Sequence, residues 1–314
     1  MKRILTITLN PAVDETSSVG SLQPEKKLRC SAPVFEPGGG GINVARVINR
    51  LGGRALPLYF SGGNSGKRLT ALLAEEDITG LPVEIHGETR ENLNITDRST
   101  GRQYRFIMPG PTVSSAEYLS LMQAAQAEMD NTEYLVFSGS LPPNGSQGIF
   151  KTLAETAMQK KVRLLADTSG EGLREALEAG IYLVKPNLGE LAALTGCETL
   201  LEADAVSAAR GLIRQGSCQV FVISMGEAGA LLVTADISEK IPAPIVKRVS
   251  TIGAGDSMVA GIVLALQRGQ DIHAAARFGI ACGTAATLNP GTALCNKEDA
   301  ERLYGLMNTG SKCR

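Results

Sequence analysis

Apolar runs just long enough for buried strands recur along the chain, and the stretches between them carry helical spacing. Strand-like runs fall at Ile4–Leu9, Leu56–Phe60, Tyr134–Ser138, Val162–Ala166, Ile181–Val184, Gln219–Ser224 and Ala230–Thr234. Helix-periodic segments occupy Ser65–Glu76, Ala116–Met129, Gly148–Lys160 and Glu171–Ala179, and three more begin near Gly255, Asp271 and Lys297. Strands that are apolar throughout and separated by helices belong to a parallel sheet covered on both faces, so the predicted fold class is α/β with three layers and a mainly parallel central sheet. A length of 314 residues suits one such domain with a small appendage, and 43% hydrophobic against 20% charged residues is a globular balance.

Two segments break the alternation. Ser17–Phe35 lacks helical spacing, and Leu93–Met108 alternates as Leu93, Ile95, Tyr104, Phe106 and Met108 around a Thr100-Gly101 turn. Both read as antiparallel strands outside the main sheet. Together, as inserted segments of about 14–36 and 89–109, they predict a small β-sheet lid over the strand C-terminal ends, where open α/β sheets bind ligands. An exposed apolar face on such a lid invites a second lid, hence a homodimer.

Composition removes several functions. Lys and Arg total 31 against 32 for Asp and Glu, a net charge of -1, without the basic excess of a sequence-independent nucleic-acid binder. Aromatic residues are 4% and Trp is absent, which leaves no base-stacking platform or membrane-interface belt. The longest apolar run, Met258–Leu266, is too short to span a bilayer, so neither nucleic acid nor membrane is an expected partner and the cytoplasm is the expected location. Six scattered cysteines and two histidines form no zinc pattern, and the thiols are expected reduced and mostly buried.

Glycine, at 35 residues, marks the chemistry. Gly38-Gly39-Gly40-Gly41 precedes the helical pattern that begins at Ile42-Asn43; such a run lets backbone approach a ligand closely, and serves equally as a flexible hinge. Asn43 shifts the balance toward a ligand, because an amide at a helix N-terminus can hold hydroxyls. Ser61–Arg68 has the look of a phosphate-binding loop but its first glycine is one place late and Arg68 follows Lys67, so it reads as a strand-to-helix turn with Lys67 solvated. The sharpest signal is Thr251-Ile252-Gly253-Ala254-Gly255-Asp256, leading into an apolar helix. Its glycines supply an amide-lined anion hole at a helix N-terminus, and Asp256 beside it could take a proton from an attacking hydroxyl, or simply cap the helix. A dinucleotide fingerprint is a weaker fit, because Met258 stands where its third glycine belongs.

The pairing of Gly253-Ala254-Gly255-Asp256 and Gly261 with the earlier Gly38–Asn43 block resembles the two signatures of the ribokinase-like carbohydrate kinases of the PfkB type. Phe137–Pro142, Lys185–Glu190 and Asn289–Thr292 agree with that family in order and spacing, so the resemblance covers essentially the whole chain. It implies a ribokinase-like fold and ATP with Mg²⁺ as phosphoryl donor. Asp256 then matches the catalytic base, Gly253, Ala254 and Gly255 the anion hole, and Asp14, Gly39 and Asn43 the positions that hold sugar hydroxyls, with Ser138 and Gly139 beside them. Asp14 taken alone is as well read as a loop-stabilising residue.

Asn187 and Glu190 fit the family's NxxE motif for Mg²⁺ and its waters, although the same spacing alone describes a helix-capping pair. Lys185 is expected to face phosphate, and Ser224, Gly226, Thr251 and Gly283 to line the nucleotide. Ser250, Ile252, Ala286, Asn289 and Gly291 match a loop that holds K⁺ in the family. Within it, Lys27–Cys30, Phe35–Gly53 and Gln103–Phe106 look most like the bacterial 6-phosphofructokinases of this type. There Lys27, Arg90 and Arg105 face the phosphate already on the sugar, a task for which paired Arg donors are suited, though basic residues on lid edges also discourage aggregation. The implied reaction is phosphorylation of fructose 6-phosphate at O1. Alternatives are a kinase for tagatose 6-phosphate or fructose 1-phosphate and, outside enzymes, a nucleotide or sugar-phosphate sensor, which would have no use for a base.

Overall fold

A computed structural model describes residues 2–146, 148–289 and 293–309. Gly291 of the expected K⁺ loop, with Pro290, Thr292 and Cys313, lies outside them. The strands of the main sheet are β1 (Arg3–Thr8), β4 (Ala55–Ser61), β5 (Leu81–Glu84), β8 (Thr132–Ser138), β9 (Arg163–Asp167), β10 (Ile181–Val184), β11 (Cys218–Ser224), β12 (Ala230–Val233) and β13 (Ser238–Ile241). A smaller sheet comprises β2 (Ala12–Val19), β3 (Val34–Gly38), β6 (Arg90–Asp97) and β7 (Gln103–Phe106). The helices are α1 (Gly40–Arg50), α2 (Gly63–Glu75), α3 (Ser115–Glu128), α4 (Ile149–Gln159), α5 (Gly170–Ala179), α6 (Leu188–Thr195), α7 (Glu202–Arg214), α8 (Ala254–Gln267), α9 (Ile272–Ala286) and α10 (Lys297–Thr309).

The nine-stranded sheet has the order β13-β12-β11-β10-β9-β8-β1-β4-β5. It is parallel from β11 to β5, and β12 and β13 add antiparallel at one edge. From β1 the chain proceeds outward through β4 and β5, then returns to β8 on the other side and proceeds outward again. The switch therefore falls between β1 and β8, the place where such sheets open a crevice at their C-terminal edge. Alternate strand residues face opposite helical layers. Leu5, Ile7, Leu135 and Phe137 pack with Leu121, Phe150, Leu153 and Leu173, whereas Ile4, Tyr134 and Val136 pack with Val44, Val47, Val259, Ile262 and Ala281. This is why β1 is buried at five consecutive positions and shows no alternation.

Helices α8 and α9 pack closely because Gly261 and Gly279 face each other: a Cβ on Gly261 would lie 2.9 Å from the Gly279 Cα. Such contact fixes the start of α8, which carries Asp256. No helix among the described residues is long and apolar enough to cross a membrane.

The lid exists, with a changed pairing. β2–β3 and β6–β7 are antiparallel as expected, but the two hairpin-like pairs join through β2 and β6 running parallel. The lid strand begins at Ala12, two places before the expected boundary, and most of residues 20–33 are irregular with a lone bridge from Val19 to Cys30. Asp97 accepts the Gly101 amide and donates its own N–H to Arg102, closing the expected turn. The strand-to-helix reading of Ser61–Arg68 holds, with α2 starting at Gly63 and Lys67 exposed. Helix α7 and strands β5 and β13 are absent from the sequence reading: α7 buries only the small side chains Ala205 and Ala209, and β5 and β13 are four-residue edge strands in which alternation with solvent replaces a continuous apolar run. The five described cysteines are all free, and three of them, Cys218, Cys282 and Cys295, are buried while Cys30 and Cys197 are exposed, in line with the expected mostly buried thiols.

Candidate functional site

The C-terminal ends of the parallel strands deliver a row of polar residues to one crevice: Ser138 ends β8, Asp167 ends β9, Lys185 follows β10 and Ser224 ends β11. Opposite them stand the N-termini of α1 and α8. Gly253 takes the left-handed conformation at the cap of α8 (φ 69°), which turns the chain so that Ala254, Gly255 and Asp256 form its first turn. The positive end of that helix is aimed at the crevice.

Asp256 is reachable from the crevice yet enclosed by protein. Asn43 donates from Nδ2 to its Oδ2 at 2.9 Å, and the Ser138 hydroxyl lies 3.5 Å from its Oδ1. Burial and the neighbouring Asp167 carboxylate push its pKa up to about 6, against the opposing pull of Asn43, Lys185 and Ser138. A base so placed is deprotonated at neutral pH but near enough to that pH to accept a proton in a transition state.

Lys185 is buried and its Nζ pairs with Asp167 at 3.0 Å. Burial pulls its pKa down, but Asp167, then Glu190 and Asp256, prevail and hold it above the usual lysine value. The ammonium is therefore a fixed positive charge. A Cβ on Gly255 would sit 3.6 Å from Lys185 Nζ, which places the charge beside the glycine-lined turn. Asp167 is the site residue that sequence reading missed; the available signal was a carboxylate at the end of a strand predicted to be parallel.

The four-glycine block does something more specific than the sequence suggests. A Cβ on Gly40 would lie 2.4 Å from Ser138 Oγ, and one on Gly41 would lie 2.6 Å from the Ile7 carbonyl oxygen. These two glycines let α1 press its N-terminus against β1 and β8, bringing Asn43 to Asp256; the close approach is to protein, not to a ligand. Gly39, at φ 113°, makes the turn into that helix. Gly139, also at φ 113°, donates its amide to the Asp167 carbonyl.

At the lid boundary, Asp14 on β2 accepts from Asn92 Nδ2 at 2.9 Å. Burial raises its pKa, opposed by Asn92 and then by Arg90. Arg105 on β7 reaches the Thr251 hydroxyl at 3.3 Å, so the lid touches the loop ahead of α8. Lys27 is exposed on the irregular lid loop and is not brought to the Asp256 cluster.

Asn187 and Glu190 form a reciprocal capping box at the start of α6: Asn187 Oδ1 accepts from the Glu190 amide and Glu190 Oε2 from the Asn187 amide, each at 2.8 Å. Glu190 has its pKa raised by burial, with Asp167 adding to it. The capping reading of this motif is thus realised, and Oε1 of Glu190 remains outside the cap. Ser224, Gly226, Thr251, Ala254, Gly255, Met258 and Gly283 line one cavity of about 540 Å³ that leads to the first turn of α8. Its far walls, Ala243, Ile245, Val246 and Ile280, are apolar, and Glu227 and Arg248 pair at 2.7 Å at its mouth. Behind it, Ser250 Oγ accepts the Ile252 amide, while Asn289 donates its side chain to the Leu294 carbonyl and its backbone N–H to Ala286.

The crevice therefore combines a carboxylate with its pKa raised to about 6, a glycine-lined helix N-terminus, a buried ammonium and a partly apolar cavity. The model of the pfkB family carbohydrate kinases matches residues 4–299. The chain is 42% identical over 309 residues to the ATP-dependent 6-phosphofructokinase isozyme 2 of Escherichia coli, covering 98% of this chain and all of that one. It is 32% identical over 291 residues to the 1-phosphofructokinase of Bacillus subtilis, covering 91% and 93%. Crystal structures of the E. coli phosphofructokinase-2 superimpose with TM-scores of 0.94 for the potassium complex and 0.92 for both the fructose-6-phosphate complex and a tetrameric inhibited form, each covering 98% of this chain and 100% of the other.

Proposed function

This chain belongs to the pfkB family of carbohydrate kinases, and from that premise we propose that it transfers the γ-phosphoryl group of ATP to O1 of fructose 6-phosphate, giving fructose 1,6-bisphosphate. The observation that carries the reading is the placement of Asp256: a carboxylate with pKa near 6, hydrogen-bonded by Asn43, in the first turn of the helix that opens on the Gly253–Gly255 turn. Identity of 42% to a 6-phosphofructokinase, against 32% to a 1-phosphofructokinase, favours fructose 6-phosphate over its isomers.

In the proposed reaction O1 of the sugar attacks the γ-phosphorus in line and Asp256 removes its proton. The amides of Gly253, Ala254 and Gly255 and the Lys185 ammonium offset the charge on the moving phosphoryl group. Asp14, Gly39, Asn43, Ser138 and Gly139 hold the sugar. Lys27, Arg90 and Arg105 are assigned to its 6-phosphate, with Lys27 reaching the site when its loop closes. Closure keeps water from competing as nucleophile.

Ser224, Gly226, Thr251 and Gly283 line the slot assigned to ATP, whose apolar far wall suits a base and whose inner end meets the anion hole. The free Oε1 of Glu190, beside Asn187, is a hard oxygen suited to Mg²⁺ held partly through water, and Mg²⁺ would neutralise phosphate charge there. Ser250, Ile252, Ala286 and Asn289 are assigned to K⁺: position 290 is proline, so the Ala286 carbonyl receives only the Asn289 amide and no i+4 donor, which leaves it one lone pair for a cation.

A homodimer through the lid follows from the exposed Val34, Phe106, Ile107 and Met108 on or beside its edge strands; the tetramer of the E. coli relative is compatible with two such pairs. Use of ATP and a phosphorylated sugar supports a cytoplasmic location.

The test is kcat/KM measured by ADP release with fructose 6-phosphate, tagatose 6-phosphate and fructose 1-phosphate. The proposal expects fructose 6-phosphate to lead. Preference for another ketose phosphate reassigns the substrate, and no ADP release with any of them removes the kinase reading.

A further inference from the structure

Arg90 is assigned above to the sugar phosphate, yet its guanidinium is already occupied. Nε donates to the Pro11 carbonyl at 3.4 Å, Nη1 to the Met108 carbonyl at 3.0 Å, and Nη2 to the Asn10 carbonyl at 2.8 Å and to Ser140 Oγ at 3.3 Å. A guanidinium has five N–H groups, so one, on Nη1, is left. The acceptors are not a random set. Asn10 and Pro11 are the link from β1 to lid strand β2, and Met108 follows lid strand β7 where the chain returns to the body. Arg90 itself is the first residue of lid strand β6. One side chain thus joins three of the chain's crossings between body and lid. Through Ser140, which also takes a hydrogen bond from Asn10 Nδ2 at 3.3 Å, it ties them to the loop after β8. The neighbouring carbonyls are separated by 79, 80 and 18 residues in sequence from Arg90, so no local structure would hold them together.

We propose that Arg90 is a positioning residue, a clamp that fixes the lid hinge in the substrate-free protein, and that its single remaining N–H is what it offers the sugar phosphate. The planar fork is required: a lysine keeps the charge but cannot meet carbonyls lying in different directions at once. The inference deepens the kinase reading, because it makes lid orientation depend on the same residue that meets the phosphate. Its test does not depend on turnover.

Hydrogen exchange of the substrate-free protein is compared between wild type and Arg90→Lys, in peptides covering residues 9–13 and 106–111 and, for reference, β8. A clamp predicts exchange roughly tenfold or more faster in both hinge peptides with β8 unchanged. Unchanged exchange in the hinge peptides, with only the KM for fructose 6-phosphate raised, makes Arg90 a phosphate ligand alone and overturns the proposal. An increase spread evenly over hinge and β8 overturns it as well, because the effect would then be on global stability. Failure of every ketose phosphate in the ADP-release panel would sink the kinase reading and leave this result standing.

Discussion

Replacing Asp256 by asparagine should destroy turnover and stabilise the fold at once. The side chain keeps its shape: its amide oxygen can still accept from Asn43 Nδ2, and its NH₂ can face Ser138 Oγ. What disappears is a carboxylate whose pKa rises from 3.8 in the unfolded chain to about 6 in the fold, chiefly through burial and then through Asp167. Such a rise corresponds to about 3 kcal/mol against the charged form. Above pH 6 the group is ionised in both states and the full cost weighs on the native protein. Between pH 6 and about 4 the folded form takes up the proton first and the cost fades; below about 4 it is gone. The asparagine variant should therefore be more stable than wild type by ~1–3 kcal/mol at pH 8, or ~2–5 °C in Tm for a chain of this length, and equal to it near pH 4. Turnover should fall roughly 10²-fold or more with KM little changed. Wild-type kcat/KM should itself decline below a pH of about 6. Calorimetry at the two pH values with initial rates checks both halves. A variant that turns over at near wild-type rate, or that has the same relative stability at both pH values, refutes the reasoning.

Arg105→Ala should raise KM for fructose 6-phosphate by roughly 10- to 150-fold, the loss of about 1.5–3 kcal/mol from a charge-assisted contact, and an unchanged KM would remove it from the phosphate site. Glu190→Gln separates capping from metal binding: glutamine caps as well, so Tm should hold, while the Mg²⁺ concentration for half-maximal rate should rise by ~10-fold. An unaltered Mg²⁺ requirement leaves the pair as a cap. Gly261→Ala should lower the urea midpoint by the equivalent of about 1–3 kcal/mol, because its Cβ would meet Cys282 Sγ at 2.7 Å and part α8 from α9; an unmoved midpoint would show that the helices have room.

What was legible in the sequence followed from periodicity and glycine. Continuous apolar runs gave the parallel strands, since β1 and β8 have no solvent face. Gly253 gave the turn before Asp256 because its left-handed conformation suits few other residues. Less was legible where partners come from distant chain segments. The parallel β2–β6 pairing depends on two segments about 78 residues apart, as with Asp14 and Asn92, and local spacing carries no sign of it. Asp167 is one acidic residue among many until β9 is set beside β10 and Lys185 arrives. The tight approach of Gly40 to Ser138 is likewise a property of two strand ends and a helix, and the glycine run alone read as well for a ligand or a hinge.

The central claim is that this crevice moves a phosphoryl group onto carbon 1 of a sugar that is already phosphorylated. Phosphorus NMR of the wild-type protein with MgATP and fructose 6-phosphate tests it most directly. One new phosphomonoester on carbon 1 should appear for each ADP formed, and inorganic phosphate should stay at background. ADP accompanied only by inorganic phosphate, or a phosphoryl group on any other carbon, would contradict it.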